Sequence, residues 1–125
     1  RQKPDLEIGT DDWAIEFKIA RPFGDNGLEA ENWSVNLLHP YPGNTSSIGD
    51  AIKLQTLQGF RNRSVFVIGY EHDPARISLD PLVNAFREIA EDVIGIKLGR
   101  RIEEVRRQLV HPQHQVVRCF AWEIF

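Results

Sequence analysis

Between Trp13 and Ala20 the chain reads WAIEFKIA. Trp13, Ile15, Phe17 and Ile19 alternate with Ala14, Glu16, Lys18 and Ala20. That is the period of two of a strand. The large apolar side predicts a core-facing surface. The other side carries Glu16 and Lys18 between small residues. Upstream, Pro4 to Ile8 reads as a short strand, and Gly9 to Asp12 (GTDD) as the turn of a hairpin. Leu6 to Ile8 is therefore expected to pair antiparallel with Trp13 to Phe17.

Arg21 to Asn44 is rich in Gly, Pro and Asn and predicts an irregular excursion, with a short helix near Leu28 to Trp33. Thr45, Ser46 and Ser47 are N-cap candidates. Ile48, Ala51, Ile52, Leu54 and Leu57 then form a helical stripe that Gly59 stops. Ser64 to Tyr70 (SVFVIGY) is an unbroken apolar run, the pattern of a central strand buried on both faces. Asp80-Pro81 is a helix start, with Asp80 as N-cap. Leu82, Phe86, Ile89 and Val93 follow at helical spacing up to Gly95. Ile102, Val105 and Leu109 suggest another amphipathic helix, ended by His111-Pro112. Val116 to Phe125 reads as the last strand. Interleaved strands and helices predict an α/β domain, a mixed β-sheet flanked by helices. The expected core is Trp13, Ile15, Phe17, Val65, Val67, Phe86, Ile89 and Val93.

Composition narrows this picture. The 125 residues, 42% hydrophobic and 10% aromatic, fit a single globular domain spanning 1–125. No apolar run approaches the roughly 20 residues of a membrane span, so no membrane partner is expected. Cys119 is the one cysteine. An internal disulfide is thereby excluded, and a reducing, cytoplasmic setting is favoured. The net charge of -3 leaves room for nucleic acid only at a local patch. The chain has no methionine and opens on Arg1, which suggests a fragment of a longer protein.

The candidate chemistry lies in the hairpin. Asp5 precedes Glu16 by eleven residues, so the hairpin can set the two carboxylates opposite each other. Lys18 shares the Glu16 face. Two carboxylates can hold Mg²⁺ or Mn²⁺ together with waters and a substrate phosphate. An adjacent ammonium can act on the attacking water or the developing charge. The alternative is a solvated surface pair.

Pro4-Asp5, ten intervening residues and Glu16-Phe17-Lys18 resemble the signature of the PD-(D/E)XK, or restriction endonuclease-like, superfamily. The resemblance is close over the motif and covers the rest of the chain by element order alone. It implies an αβββαβ core whose first helix would precede Arg1. It implies a metal-dependent endonuclease, a hydrolase of nucleic-acid phosphodiesters, with DNA the expected substrate. Asp5, Glu16 and the Phe17 carbonyl would be metal ligands, and Lys18 the catalytic lysine. A non-catalytic nucleic-acid-binding or interaction module on the same fold, or an unrelated dimerising α/β protein, are the competing readings. A homodimer is compatible with any of them.

Other residues carry weaker signals. Glu7 lies on the Asp5 face, as a group that supports the carboxylates from behind or as an exposed strand residue. Asp11 and Asp12 read as turn formers. In this superfamily polar residues of the helix after the hairpin often point to the site. Asp50, Lys53 and Gln55 are such residues, although an i,i+3 surface pair is the ordinary reading of Asp50 and Lys53. His111 and His114 are too few for zinc by themselves, and Pro112 spoils a helical pair. Glu71-His72-Asp73 follows the buried strand. Lys97, Arg100, Arg101, Arg106 and Arg107 form a basic stretch, and Arg61 and Arg63 a smaller one, either of which can meet phosphates or solvent. Phe23, Trp33 and Tyr41 can stack on bases or cover the core.

Overall fold

A computed structural model describes residues 4–10, 12–30, 33–38 and 46–125. Strands β1 (Leu6–Ile8), β2 (Trp13–Ala20), β3 (Asn62–Glu71), β4 (Ile102–Arg106) and β5 (Val116–Glu123) form one sheet in the order β1-β2-β3-β5-β4. Helices α1 (Val35–Leu38), α2 (Ser47–Thr56) and α3 (Asp80–Glu88) complete it, with a π-helical segment at Ile89–Ile94. β2 and β3 are parallel and the other neighbours antiparallel. The fold is mixed α/β.

The hairpin forms as expected, with Leu6 opposite Ile15 and Ile8 opposite Trp13. Gly9 takes the left-handed backbone (φ +67°) that its turn needs. α2 is the crossover that parallel neighbours require. Ser46 caps it, its Oγ accepting the Gly49 N–H at 3.0 Å. At the other end, Arg63 Nη1 donates to the carbonyls of Leu54, Gln55 and Leu57, each at 3.2 Å. Arg63 is thus a helix C-cap. β3 is central, as its apolar run predicts.

The core lies on the unexpected side of the sheet. α2, carrying buried Ile48, Ala51 and Leu54, packs over β2 and β3, and Phe86 of α3 meets the Trp122 ring at a centroid distance of 4.7 Å. Trp122 pairs with Val65, and Val65 with Glu16. The covered face is therefore that of Ala14, Glu16, Lys18 and Ala20. Small side chains at Ala14 and Ala20 leave room for the helix. Val65, Val67 and Phe86 are buried as expected. Ile15 is buried too, but Trp13 is half-buried and Phe17 is 41% exposed. The apolar alternation marks the opposite face, where Leu6, Ile8, Phe17, Ile19 and Ile102 are exposed. β3 is consequently not sealed on both sides, and Phe66, Ile68 and Tyr70 are half-buried.

Four further expectations are corrected. Residues 102–106 are a strand, not a helix, because they pair with β5 from Ile102–Ala121 to Arg106–Val117. Of the helix expected near Leu28 to Trp33, residues 28–30 are bend, bridge and coil and residues 31–32 lie outside the described residues, while a short helix comes later, at Val35–Leu38. Val93 is 73% exposed and Ile89 half-buried. The π turns explain this, since wider turns advance each residue by a smaller angle. They rotate Val93 off the stripe that Leu82 and Phe86 share. Gly95 closes the segment with φ +86°. At the start of α3, Leu79 occupies the N-cap position, and Asp80 is already helical.

Gly69 lies on the covered face, where an added Cβ would sit 2.3 Å from Leu79 Cδ1. Gly69→Ala is expected to lower stability by about 1–3 kcal/mol, the usual cost of overpacking. Urea unfolding should show a lower midpoint at unchanged slope. An unaltered midpoint would mean that Leu79 yields freely.

Candidate metal centre

α2 runs antiparallel to β2, so its residues meet the strand in reverse order. Asp50 lies over Lys18, and Lys53 over Glu16. Lys18 Nζ is 2.9 Å from Asp50 Oδ2, and Lys53 Nζ is 2.5 Å from Glu16 Oε1. The four groups form a checkerboard of alternating charge between strand and helix. Glu16 is only 1% exposed, and Asp50 7%. The fifth member comes from the hairpin. Asp5 Oδ2 accepts the Phe17 N–H at 3.1 Å, and its carboxyl is hydrogen-bonded to that of Glu16. Ligand oxygens of Asp5, Glu16 and Asp50 all lie within 4.8 Å of one another.

The sequence-derived trio Asp5, Glu16 and Lys18 therefore converges. Asp50 and Lys53, read there as an ordinary surface pair, belong to the same cluster and pair with β2 instead. What conceals them is the crossover, because no spacing within α2 reveals which strand lies beneath. Gln55 is exposed, and its carbonyl serves the Arg63 cap. Glu7 is an exposed strand residue opposite Ala14.

Electrostatics separates the three carboxyls. Burial, above all, pushes Glu16 up to about 7, helped by the hydrogen bond to Asp5 and the charges of Asp50 and Asp5, against the pull of Lys53. Asp50 is also raised, by burial first and by Asp5, with Lys18 opposing. For Asp5 slight burial acts upward. The hydrogen bonds with Glu16 and the Phe17 N–H, with Lys18 and Lys53 nearby, outweigh it and hold the group below its usual range. Near neutral pH Glu16 thus holds a proton part of the time, which relieves the repulsion between two anions.

The donor set fits a hard divalent cation, which takes carboxylate, carbonyl and water oxygens. Asp50 Oδ2 is buried, and the Lys18 ammonium stands 2.9 Å from it. Pro4 stands where the hairpin ladder would next offer an N–H to the Phe17 carbonyl, and proline has none.

The remaining candidates fall elsewhere. β4 is the far edge of the sheet, three spacings from β2, or about 14 Å. Arg106 there pairs with Glu104, and Arg101 with Asn84. The basic stretch thus does not border the carboxylates. Exposed Arg61 pairs with half-buried Asp12 at 3.9 Å. Glu71 is buried against Arg118 at 3.1 Å, His72 bonds Gln113 at 2.7 Å, and the Asp73 N–H donates to Gln115. Trp33 packs on the core, while Phe23 meets the His72 ring and lies under Arg76. Asp11, Tyr41 and Thr45 lie outside the described residues. Among the described residues no helix is long and apolar enough to cross a membrane. Cys119 is half-buried, with its thiol pushed up by burial.

No protein-family model, no curated protein and no solved structure matches the chain.

Stability should carry the signature of Glu16. Folding raises its pKa from 4.5 to about 7, so the folded form keeps a proton that the unfolded chain releases. The resulting cost is absent below pH 4.5, grows through that window and is complete above 7. At about 1.4 kcal/mol per pH unit it reaches the order of 3 kcal/mol. Asp50 acts in the same direction. Asp5 is ionised in both states across this window and adds no slope. Chemical denaturation between pH 4.5 and 8 should show stability falling with pH, and Glu16→Gln should flatten the fall. An equally steep fall in Glu16→Gln would clear Glu16 of the effect.

Proposed function

We propose that the protein is a metal-dependent nuclease that hydrolyses phosphodiester bonds, with DNA as substrate. The observation that carries this is the meeting of Asp5, Glu16 and Asp50 oxygens within 4.8 Å, with the Lys18 ammonium 2.9 Å from Asp50. The order of hairpin, helix and parallel strand supports a restriction endonuclease-like core and the motif resemblance of Pro4-Asp5 and Glu16-Phe17-Lys18.

Asp5, Glu16 and the Phe17 carbonyl hold Mg²⁺ or Mn²⁺ in this reading, and Asp50 adds a third carboxylate. When bound, the cation lowers the pKa of a water and neutralises the scissile phosphate. Asp50 fixes Lys18 from the helix side. The held ammonium orients the attacking water and offsets charge that builds on the phosphate oxygens. Lys53 serves as counter-ion to Glu16 and limits repulsion before substrate arrives.

Plasmid nicking tests the proposal. Activity is expected with Mg²⁺ or Mn²⁺ and none with chelator. Lys18→Ala should reduce the rate by roughly 10²–10³-fold, the effect of removing one charge-stabilising donor, while metal still raises the melting temperature. Glu16→Gln should lose both cleavage and that stabilisation. Cleavage that persists unchanged in both variants would place the activity elsewhere.

A second reading is favoured by a separate observation. Leu6, Ile8, Phe17, Ile19 and Ile102 are exposed on the sheet face opposite the helices, and apolar patches of this kind mark association surfaces. The reading is a module that dimerises through this face, and it is compatible with the nuclease. Sedimentation should then show a dimer that Phe17→Glu dissociates. A monomer at high concentration would exclude it.

A further inference from the structure

We propose that Asp25, His111 and His114 form a second cation site, selective for a zinc-like transition metal, which clasps the β2–α1 loop to the β4–β5 loop. The site does not rest on the nuclease reading. The three side chains each offer a ligand atom, and these atoms lie within 4.8 Å of one another. Asp25 Oδ1 stands 3.3 Å from His111 Nε2, and the rings of His111 and His114 meet edge to face at 4.4 Å.

His114 supplies the independent observation. It is 7% exposed, and neither of its ring nitrogens has a hydrogen-bond partner among the described residues. Buried polar groups are nearly always satisfied, and one that is not calls for a water or an ion. A water would answer one nitrogen. It would not account for a second imidazole and a carboxylate converging on the same point. Burial first, then the charges of His111 and Arg21, hold His114 below the usual imidazole range, against Asp25.

The donor set chooses the ion. Two imidazoles and a carboxylate suit zinc and its transition-metal neighbours, whereas Mg²⁺ prefers oxygens. The chain thus presents an oxygen site on β2 and α2 and a nitrogen-rich site beyond the ends of β2 and β3. Three protein ligands leave a fourth tetrahedral position for water or another ligand. His111 Nδ1 accepts the Gln113 N–H at 3.1 Å, so the neutral ring carries its proton on Nε2. Metal at Nε2 moves that proton to Nδ1 and releases the Gln113 contact, a change confined to one loop. His111 and His114 are two of the ligands, and Pro112 between them is harmless in a loop. The missing third ligand comes from Asp25, far away in sequence.

Zn²⁺ alone, titrated into the full chain against a chromophoric chelator, tests the site. Co²⁺ absorption reports the nitrogen donors. Asp25 and His111 are exposed, so Asp25→Asn and His111→Gln should fold, which circular dichroism can check. One equivalent of Zn²⁺ is expected at this site, beyond any that the carboxylate cluster takes. Each variant should weaken binding by at least about 10-fold, the lower end for losing even an outer-sphere partner. Zn²⁺ should raise the melting temperature of the wild type and not of the variants. Glu16→Gln should bind Zn²⁺ like the wild type. Absence of binding, affinity unchanged in both loop variants, or affinity lost in Glu16→Gln would each overturn the proposal, leaving His114 to a buried water.

Discussion

Asp5 of the hairpin brings a third carboxylate against the balanced charges of β2 and α2, and the rest of the site follows from that imbalance. Asp5, Glu16 and Asp50 face Lys18 and Lys53. If every group were ionised, the cluster would hold one anion too many. Within a helix–strand interface such an excess is costly, because low polarity strengthens repulsion and removes water's compensation. Two remedies exist. A proton on Glu16 removes the excess, and its pKa near 7 expresses that. A divalent cation over-corrects it by one charge, which a phosphate can balance. The lysines suffice for three carboxylates only in the protonated state.

This arrangement also explains why the helices pack where they do. Large side chains on the Trp13, Ile15, Phe17, Ile19 face would hold a helix at a distance. Ala14 and Ala20 let α2 come close, and the long stems of Lys18 and Lys53 cover apolar surface while their ends reach the carboxylates. A strand face with two charges is therefore the better docking surface, provided the partner helix brings the opposite charges in register. α2 does so with Asp50 and Lys53. The apolar face is left without a helix among the described residues.

The sequence carried the local elements well and the sidedness poorly. Turn chemistry at Gly9, the Ser46 cap and the apolar run of β3 act over a few residues and need no tertiary knowledge. The trio Asp5, Glu16 and Lys18 was legible for the same reason, since a hairpin's register is set by its turn. Which face is core depends on where α2 returns, a long-range fact. The same is true of Asp50 and Lys53, and of Asp25 beside His111. Residues 102–106 show tertiary override of another kind. Ile102, Val105 and Leu109 suit a helix, but the free edge of β5 and a buried partner for Glu103 decide for a strand.

A comparison inside the molecule distinguishes a site from a structural ion network. Arg118 is held by Glu71 at 3.1 Å, Asp80 at 2.6 Å and Glu103 at 2.8 Å, with its guanidinium over the Phe120 ring. Glu71 also accepts the Leu79 N–H at 2.8 Å. One planar cation with several fixed donors collects carboxylates from β3, α3 and β4, and it ties the end of the sheet to the start of a helix. Its carboxylates are spread around the guanidinium instead of converging on a common point. At β2 the geometry is inverted. Carboxylates converge, and the cations are two flexible point charges at the rim, each touching one oxygen. Lysine ammoniums in that position can yield to a metal or turn toward a phosphate without dismantling the sheet. The difference between the two clusters lies in which sign of charge occupies the centre, and only the one with anions at the centre leaves a place for a cation.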